Sequence, residues 1–146
     1  MKRLHYQIEI KCPQENVFST MLNEKHYREW TAIFSPGSHY EGNWEEGSEI
    51  KFLTITDSGE KEGMLSKIKK VEANKYISIQ HLAMLQKGKE IPFKGGSFYE
   101  NYYFVAKGNS TVLKVEMDTE DDWFDYFDKT WPKALQKLKE VCEENC

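Results

Sequence analysis

Residues 119–141 read TEDDWFDYFDKTWPKALQKLKEV. Trp123, Phe127, Trp131, Leu135, Leu138 and Val141 recur at steps of three and four, the stripe of one face of an amphipathic helix. Thr119 followed by Glu120, Asp121 and Asp122 has the form of a helix start, with acids at the positive end of the dipole. Pro132 interrupts the pattern. Its ring removes a donor and crowds the preceding turn, so a kink or break is expected near Thr130, with both halves still facing one surface. A long helix apolar on one side needs a broad apolar partner.

The residues upstream supply it. Residues 4–10 (LHYQIEI) alternate with period two and read as a strand. Pro13 then opens a helical stretch in which Val17, Phe18, Met21 and Leu22 share a face, and residues 26–33 continue as a short second helix carrying Tyr27, Trp30 and Ile33. From residue 38 the period changes. Residues 38–43, 49–56, 61–72, 75–84, 97–106 and 111–118 read as strands, divided by turn signals such as Asp57-Ser58-Gly59 and Lys107-Gly108-Asn109-Ser110. Residues 86–96 (QKGKEIPFKGG), with three glycines and a proline, read as a loop and a candidate gate. Strand, two helices, a run of strands and a long helix make an α+β layout in one domain spanning residues 1–146. The long helix covers the dry face of an antiparallel sheet of about six to seven strands.

Composition narrows the function classes. The chain of 146 residues carries a formal net charge of −4, which argues against a broad nucleic-acid-binding face. No apolar run reaches the length of a membrane span, and MKRLHYQIEI alternates without a signal-like apolar core, so a cytoplasmic protein without membrane insertion is expected. Cys12, Cys142 and Cys146 are accordingly expected to be reduced thiols. Aromatic residues make up 14% of the chain (8 Phe, 8 Tyr and 4 Trp), a high share beside modest aliphatic content. Rings in that proportion suggest cavity walls or an interface rather than a purely aliphatic core.

The order and local motifs resemble the SRPBCC, or START-like helix-grip, superfamily. Within it they are most similar to the group related to the C-terminal domain of the activator of the heat-shock-protein-90 ATPase. The resemblance rests on residues 17–22, Tyr27-Arg28-Glu29-Trp30, the segment GNWEEGS at 42–48 leading into Ile50-Lys51-Phe52, Gly63, the segment YENYYF at 99–104, Thr111-Val112-Leu113 and residues 131–138. It implies a curved antiparallel sheet wrapped around a long C-terminal helix, two short helices after the first strand, and a cavity between sheet and helix. The superfamily holds lipids, sterols and aromatic molecules there, and some members are cyclases or hydrolases. The eukaryotic activators carry a separate N-terminal domain for which 146 residues leave no room, so chaperone activation is the less favoured expectation.

Alternation then assigns faces. Met64, Ser66 and Ile68 form the inner set of one strand, Ile77, Ile79 and His81 of the next, and Leu113, Val115 and Met117 of the last. For residues 97–106 either set can face inward, and a slip of one residue reverses the strand. The set Phe98, Glu100, Tyr102 and Phe104 is assigned inward. Glu100 is then a carboxylate in an apolar space, suited to a general acid or base, a polar anchor, or a structural rim partner. His81 is the inward histidine, a proton shuttle or a satisfied core residue. Trp30, Phe34, Trp44 and Phe52 are expected as ligand-contacting walls together with Met64, Ile79, Tyr102, Phe127 and Trp131. The alternative is that these rings simply fill the space. Cys142 and Cys146 are four apart, but a fraying terminus is a poor metal scaffold, and no metal or cofactor is expected. The favoured reading is a binding module for a small hydrophobic or aromatic molecule, monomeric or weakly dimeric. A cyclase-, dehydratase- or hydrolase-type enzyme using Glu100 and His81, and a chaperone-activator-like interaction domain, are the alternatives.

Overall fold

A computed structural model describes residues 1–146. Strand β1 (Lys2–Ile10) is followed by helices α1 (Gln14–Leu22) and α2 (Glu24–Thr31). Strands β2 (His39–Gly42), β3 (Glu49–Ile55), β4 (Lys61–Glu72), β5 (Tyr76–Gln86), β6 (Lys89–Pro92), β7 (Phe98–Lys107) and β8 (Ser110–Thr119) come next, and the last helix is α3 (Phe124–Glu144). All pairings are antiparallel, in the order β1-β8-β7-β5-β4-β3-β2, with β6 beside the far end of β5. The result is a curved sheet of eight strands with α3 along its inner face, an α+β helix-grip architecture.

Local chemistry explains the placement of the helices. Asn23 caps α2 by accepting the His26 backbone N–H at 3.2 Å. The Trp30 indole donates to the Met21 carbonyl at 3.1 Å, and Tyr40 donates to the Leu22 carbonyl at 2.7 Å, so the last two carbonyls of α1 are used. Tyr6 on β1 donates to Asp128 on α3 at 2.7 Å. The outer face of the sheet carries polar cross-strand pairs, including Arg3 with Asp118 at 2.8 Å and Tyr103 donating to Glu116 at 2.7 Å. Gly63 marks a close approach of β3 and β4: a Cβ there would lie 1.9 Å from the Phe52 carbonyl oxygen, so only glycine fits.

Expectations are corrected at four points: one loop, the proline, the helix ends and the cysteines. Residues 86–96 are not a plain loop, because Lys87 and Gly88, both at positive φ, turn the chain back and β6 pairs with β5. The helix does not break at Pro132. Trp131, Ala134, Leu135 and Leu138 are all buried on both sides of it; burying each large side chain is worth about 1.5–3 kcal/mol, which together exceeds the cost of about 3 kcal/mol for an interior proline. The capping segment ends β8 instead of starting the helix. Residues Asp121–Trp123 form one 3-10 turn and α3 begins at Phe124, leaving Trp123 51% exposed. Ile33 lies beyond α2 and is also exposed.

The fourth concerns the cysteines. Cys12 and Cys146 form a disulfide, with Cα atoms 6.0 Å apart, instead of being reduced thiols. The end of β1 and the end of α3 meet, which sequence separation hides. Cys142, one turn before, is a free buried thiol whose pKa burial, aided by Glu143, pushes up to about 12, so it is inert at neutral pH.

Candidate functional site

The site begins with strand register. Ser66 on β4 lies opposite His81 on β5, and Phe98 on β7 lies opposite His81 from the other side, with Ile79 opposite Glu100. His81 and Glu100 are therefore diagonal neighbours on one face, within reach of long side chains. Phe98, Glu100, Tyr102 and Phe104 all lie on the inner face of β7. A polar row crosses three strands: Ser66 Oγ and His81 Nδ1 are 2.7 Å apart, His81 Nε2 and Glu100 Oε1 are 3.0 Å apart, and the Tyr102 hydroxyl donates to Glu100 Oε2.

The donors and acceptors of this row assign its protons. Tyr102 donates to one oxygen of Glu100; with Glu100 as a carboxylate, which only accepts, His81 donates to the other through Nε2. Nδ1 of that tautomer accepts from the Ser66 hydroxyl. The order Ser-His-Glu is that of a hydrolytic triad. Ser66, however, is 0% exposed and lines neither of the two cavities described below, so its hydroxyl is not presented to a ligand there. Its work is to hold the imidazole. Burial, reinforced by the charge of Glu100, raises the hydroxyls of Tyr27 and Tyr102 well above the ordinary tyrosine range, so both stay protonated donors.

The row opens onto a cavity of about 200 Å³ between the sheet, α2 and α3. His81, Glu100, Tyr102, Phe52 and Met64 line it from the sheet; Trp30, Phe34, Phe127 and Trp131 line it from the helical side. The rings meet mostly edge to face or tilted, as between Phe34 and Trp131 at 4.9 Å and Tyr102 and Trp131 at 6.2 Å. The Trp131 indole donates to the Met117 sulfur at 3.2 Å and so is not left unpaired. A second cavity of about 260 Å³ adjoins it toward β6 and Trp123, lined by Phe93, Phe98 and Met84. Met64, Met117 and Phe127 border both.

Two of the expected wall residues stand elsewhere. Trp44 lies behind the wall, against Tyr27, Tyr40 and Phe52, with its indole N–H buried and without a partner. Ile79 is on the inner face, but it is packed solid and borders no cavity. Tyr27 and Met117 were not among the expected wall residues, yet both line the first cavity. Tyr27 precedes Trp30 by three residues on α2, the spacing that puts two side chains on one face; Met117 shares its strand face with Leu113 and Val115.

A curved sheet closed over one long helix, with a ringed cavity between them, defines the helix-grip class. The chain belongs to the family described as activator of Hsp90 ATPase homolog 1-like protein, whose model matches residues 11–143. Solved structures share the fold at low identity. The Aha1 dimer of Colwellia psychrerythraea is 19% identical, with 98% of this chain and 97% of that chain covered and a TM-score of 0.73. A Mesorhizobium loti protein is 15% identical over 99% of both chains, with a TM-score of 0.74. A protein from Nitrosomonas europaea is 12% identical over 99% of this chain and 96% of that one, with a TM-score of 0.76. A search of curated proteins finds no significant sequence match. No helix is long and apolar enough to cross a membrane.

Proposed function

We propose that this protein is a binding module that holds a small hydrophobic or aromatic molecule between its sheet and α3. The observation that carries the reading is the first cavity itself: about 200 Å³ walled by rings and methionines, with one polar row along one side. Pockets for small organic ligands are commonly apolar with a few placed polar groups. Met64 and Met117, flexible thioethers between the two cavities, can move to admit a ligand longer than either. In this reading Trp30, Phe34, Phe52, Phe127 and Trp131 supply apolar contact, and Glu100, with His81 and Tyr102 behind it, supplies orientation. Native mass spectrometry of freshly purified protein tests it. The expected result is added mass that is lost on denaturation and is diminished in Trp131→Ala; protein of bare chain mass that takes up no member of a panel of aromatic and aliphatic compounds overturns it.

An acid–base enzyme is the second reading, favoured by the carboxylate–imidazole pair facing the cavity. It requires that Glu100→Gln abolish turnover while ligand still binds. A chaperone-activator-like interaction is the third, favoured by the likeness to the Colwellia psychrerythraea protein; a pull-down showing no association with the chaperone removes it. Cytoplasmic location, a single START-like domain spanning the chain, and a monomeric or weakly dimeric state belong to the proposal. The Cys12–Cys146 bond pulls against the cytoplasm, where reductants keep thiols free.

A further inference from the structure

The charged groups around the two cavities are of one sign. Glu100 lines the first cavity and Glu62 and Glu120 the second; neither is lined by a lysine or an arginine. The two histidines of the first cavity have few donors to spare. Both ring nitrogens of His81 are engaged, by Ser66 and Glu100. His39 pairs with the Gly37 carbonyl at 2.8 Å through Nδ1 and faces Glu41 at 3.5 Å through Nε2. The Tyr102 hydroxyl is committed to Glu100. Tyr27 lines the cavity with no side-chain hydrogen bond of its own. An anionic head group would find hydroxyls, among them those of Tyr27, Ser35 and Thr54, and a carboxylate there, but no lysine or arginine.

A cation meets the opposite situation. Each oxygen of Glu100 has one neighbour and lone-pair capacity for another. Tyr27, Trp30 and Trp131 are grouped around the same cavity, with Tyr27 and Trp30 centroids 5.5 Å apart and Trp30 and Trp131 centroids 6.3 Å apart. Several aromatic rings beside one carboxylate form the surroundings that attract ammonium groups.

Resting on the proposed binding role, we infer that the molecule held in the first cavity is an organic cation: an apolar body of one or two rings bearing a protonated amine, seated against Glu100 among Tyr27, Trp30 and Trp131. Fatty acids, phosphates and other anionic amphiphiles are rejected. The apolar body lies toward Met64, Met117 and Phe127.

Three probes with one body separate the possibilities: 2-naphthylmethylamine, 2-naphthylmethanol and 2-naphthoate, titrated calorimetrically into the protein at pH 7. The expected order is amine, then alcohol, then carboxylate, with the amine about tenfold tighter than the alcohol. Glu100→Gln keeps the shape and is expected to erase most of that lead while leaving the alcohol within about twofold. Carboxylate binding as tight as the amine, or a lead that survives Glu100→Gln, overturns the inference while leaving the binding role intact. If none of the three binds, this inference falls, and the binding role is decided separately by the native mass of the purified protein and the wider compound panel. Should Glu100→Gln fail to fold by circular dichroism, the order of the three probes on the unaltered protein and on Tyr27→Phe decides: the amine must lead on the first and lose part of its lead on the second.

Discussion

Trp131 and Leu138 lie two turns apart on α3 and meet different surroundings. Toward the C-terminal end of the helix, Leu138 is 0% exposed, as are Ile10, Val17, Leu113 and Cys142 of the same core, and none of them lines either of the two cavities described. Around Trp131 the space is set by Trp30, Phe34, Phe127, Tyr102 and Met117, and two cavities remain. Branched aliphatic side chains interdigitate to crystal-like density. Flat rings meeting edge to face leave gaps at their corners, which methionines fill in part. One helix thus anchors a solid half of the molecule and roofs a hollow one, and the change of side-chain type along its stripe marks the boundary.

The most severe way to break this contrast is to attack the solid half where it is tied. The Cys12–Cys146 bond closes a loop with a sequence separation of 134. On the chain-entropy view, its reduction is expected to cost about 5 kcal/mol, read as a fall in the denaturant midpoint with and without reductant. A midpoint unmoved by reduction would show that the tie carries no stability.

Next in size is a paired truncation. Leu138→Ala empties a site with no slack and should cost about 3 kcal/mol. Phe127→Ala borders existing space, and about 1 kcal/mol is expected there, together with altered ligand binding. Equal losses in urea unfolding would erase the distinction between the halves.

The smallest effect sharpens the hollow half. Tyr27 and Tyr102 have folded-state pKa values raised above the unfolded value, chiefly by burial. Their contribution is complete below the unfolded tyrosine pKa of about 10 and is lost as pH rises beyond it, because the unfolded chain then releases protons that the folded one retains. Stability measured between pH 8 and 11 should fall less steeply in Tyr102→Phe than in the unaltered protein; identical slopes would count against a dry, closed setting for this hydroxyl.

Much of the architecture was legible as periodicity. Alternation placed the main strands and the three- and four-residue stripe placed α3, because each pattern reports which side of an element is dry. The face carrying Glu100 could be read only as one of two choices, since residues 98–105 alternate large rings with other large or polar groups on both sides. Strand β6 was hidden for a different reason: all four of its residues are exposed, and Lys87-Gly88 lacks the Asn-Gly or Asp-Gly form of a hairpin turn. The helix continues unbroken through Pro132 because burial on both sides of it overrode a local preference. For the site, sequence could supply a set of rings but not their order in depth. Trp44 and Phe52 are adjacent in space, centroids 5.6 Å apart, yet only Phe52 reaches the cavity. That distinction depends on side-chain direction out of a turn, which no spacing rule reports. The Ser66–His81 pair and the Cys12–Cys146 bond depend on tertiary register and are likewise invisible along the chain.

The bond between Cys12 and Cys146 also has a mechanical meaning. Because β1 ends next to Cys12 and α3 ends next to Cys146, a pull applied across those two points travels through a single covalent link. The sheet and the helix it grips are bypassed by the load. Under tension from these points the oxidised molecule behaves as a short rigid strut, and on reduction the same pull would be borne by the antiparallel pairing of β1 with β8 and by the seat of α3.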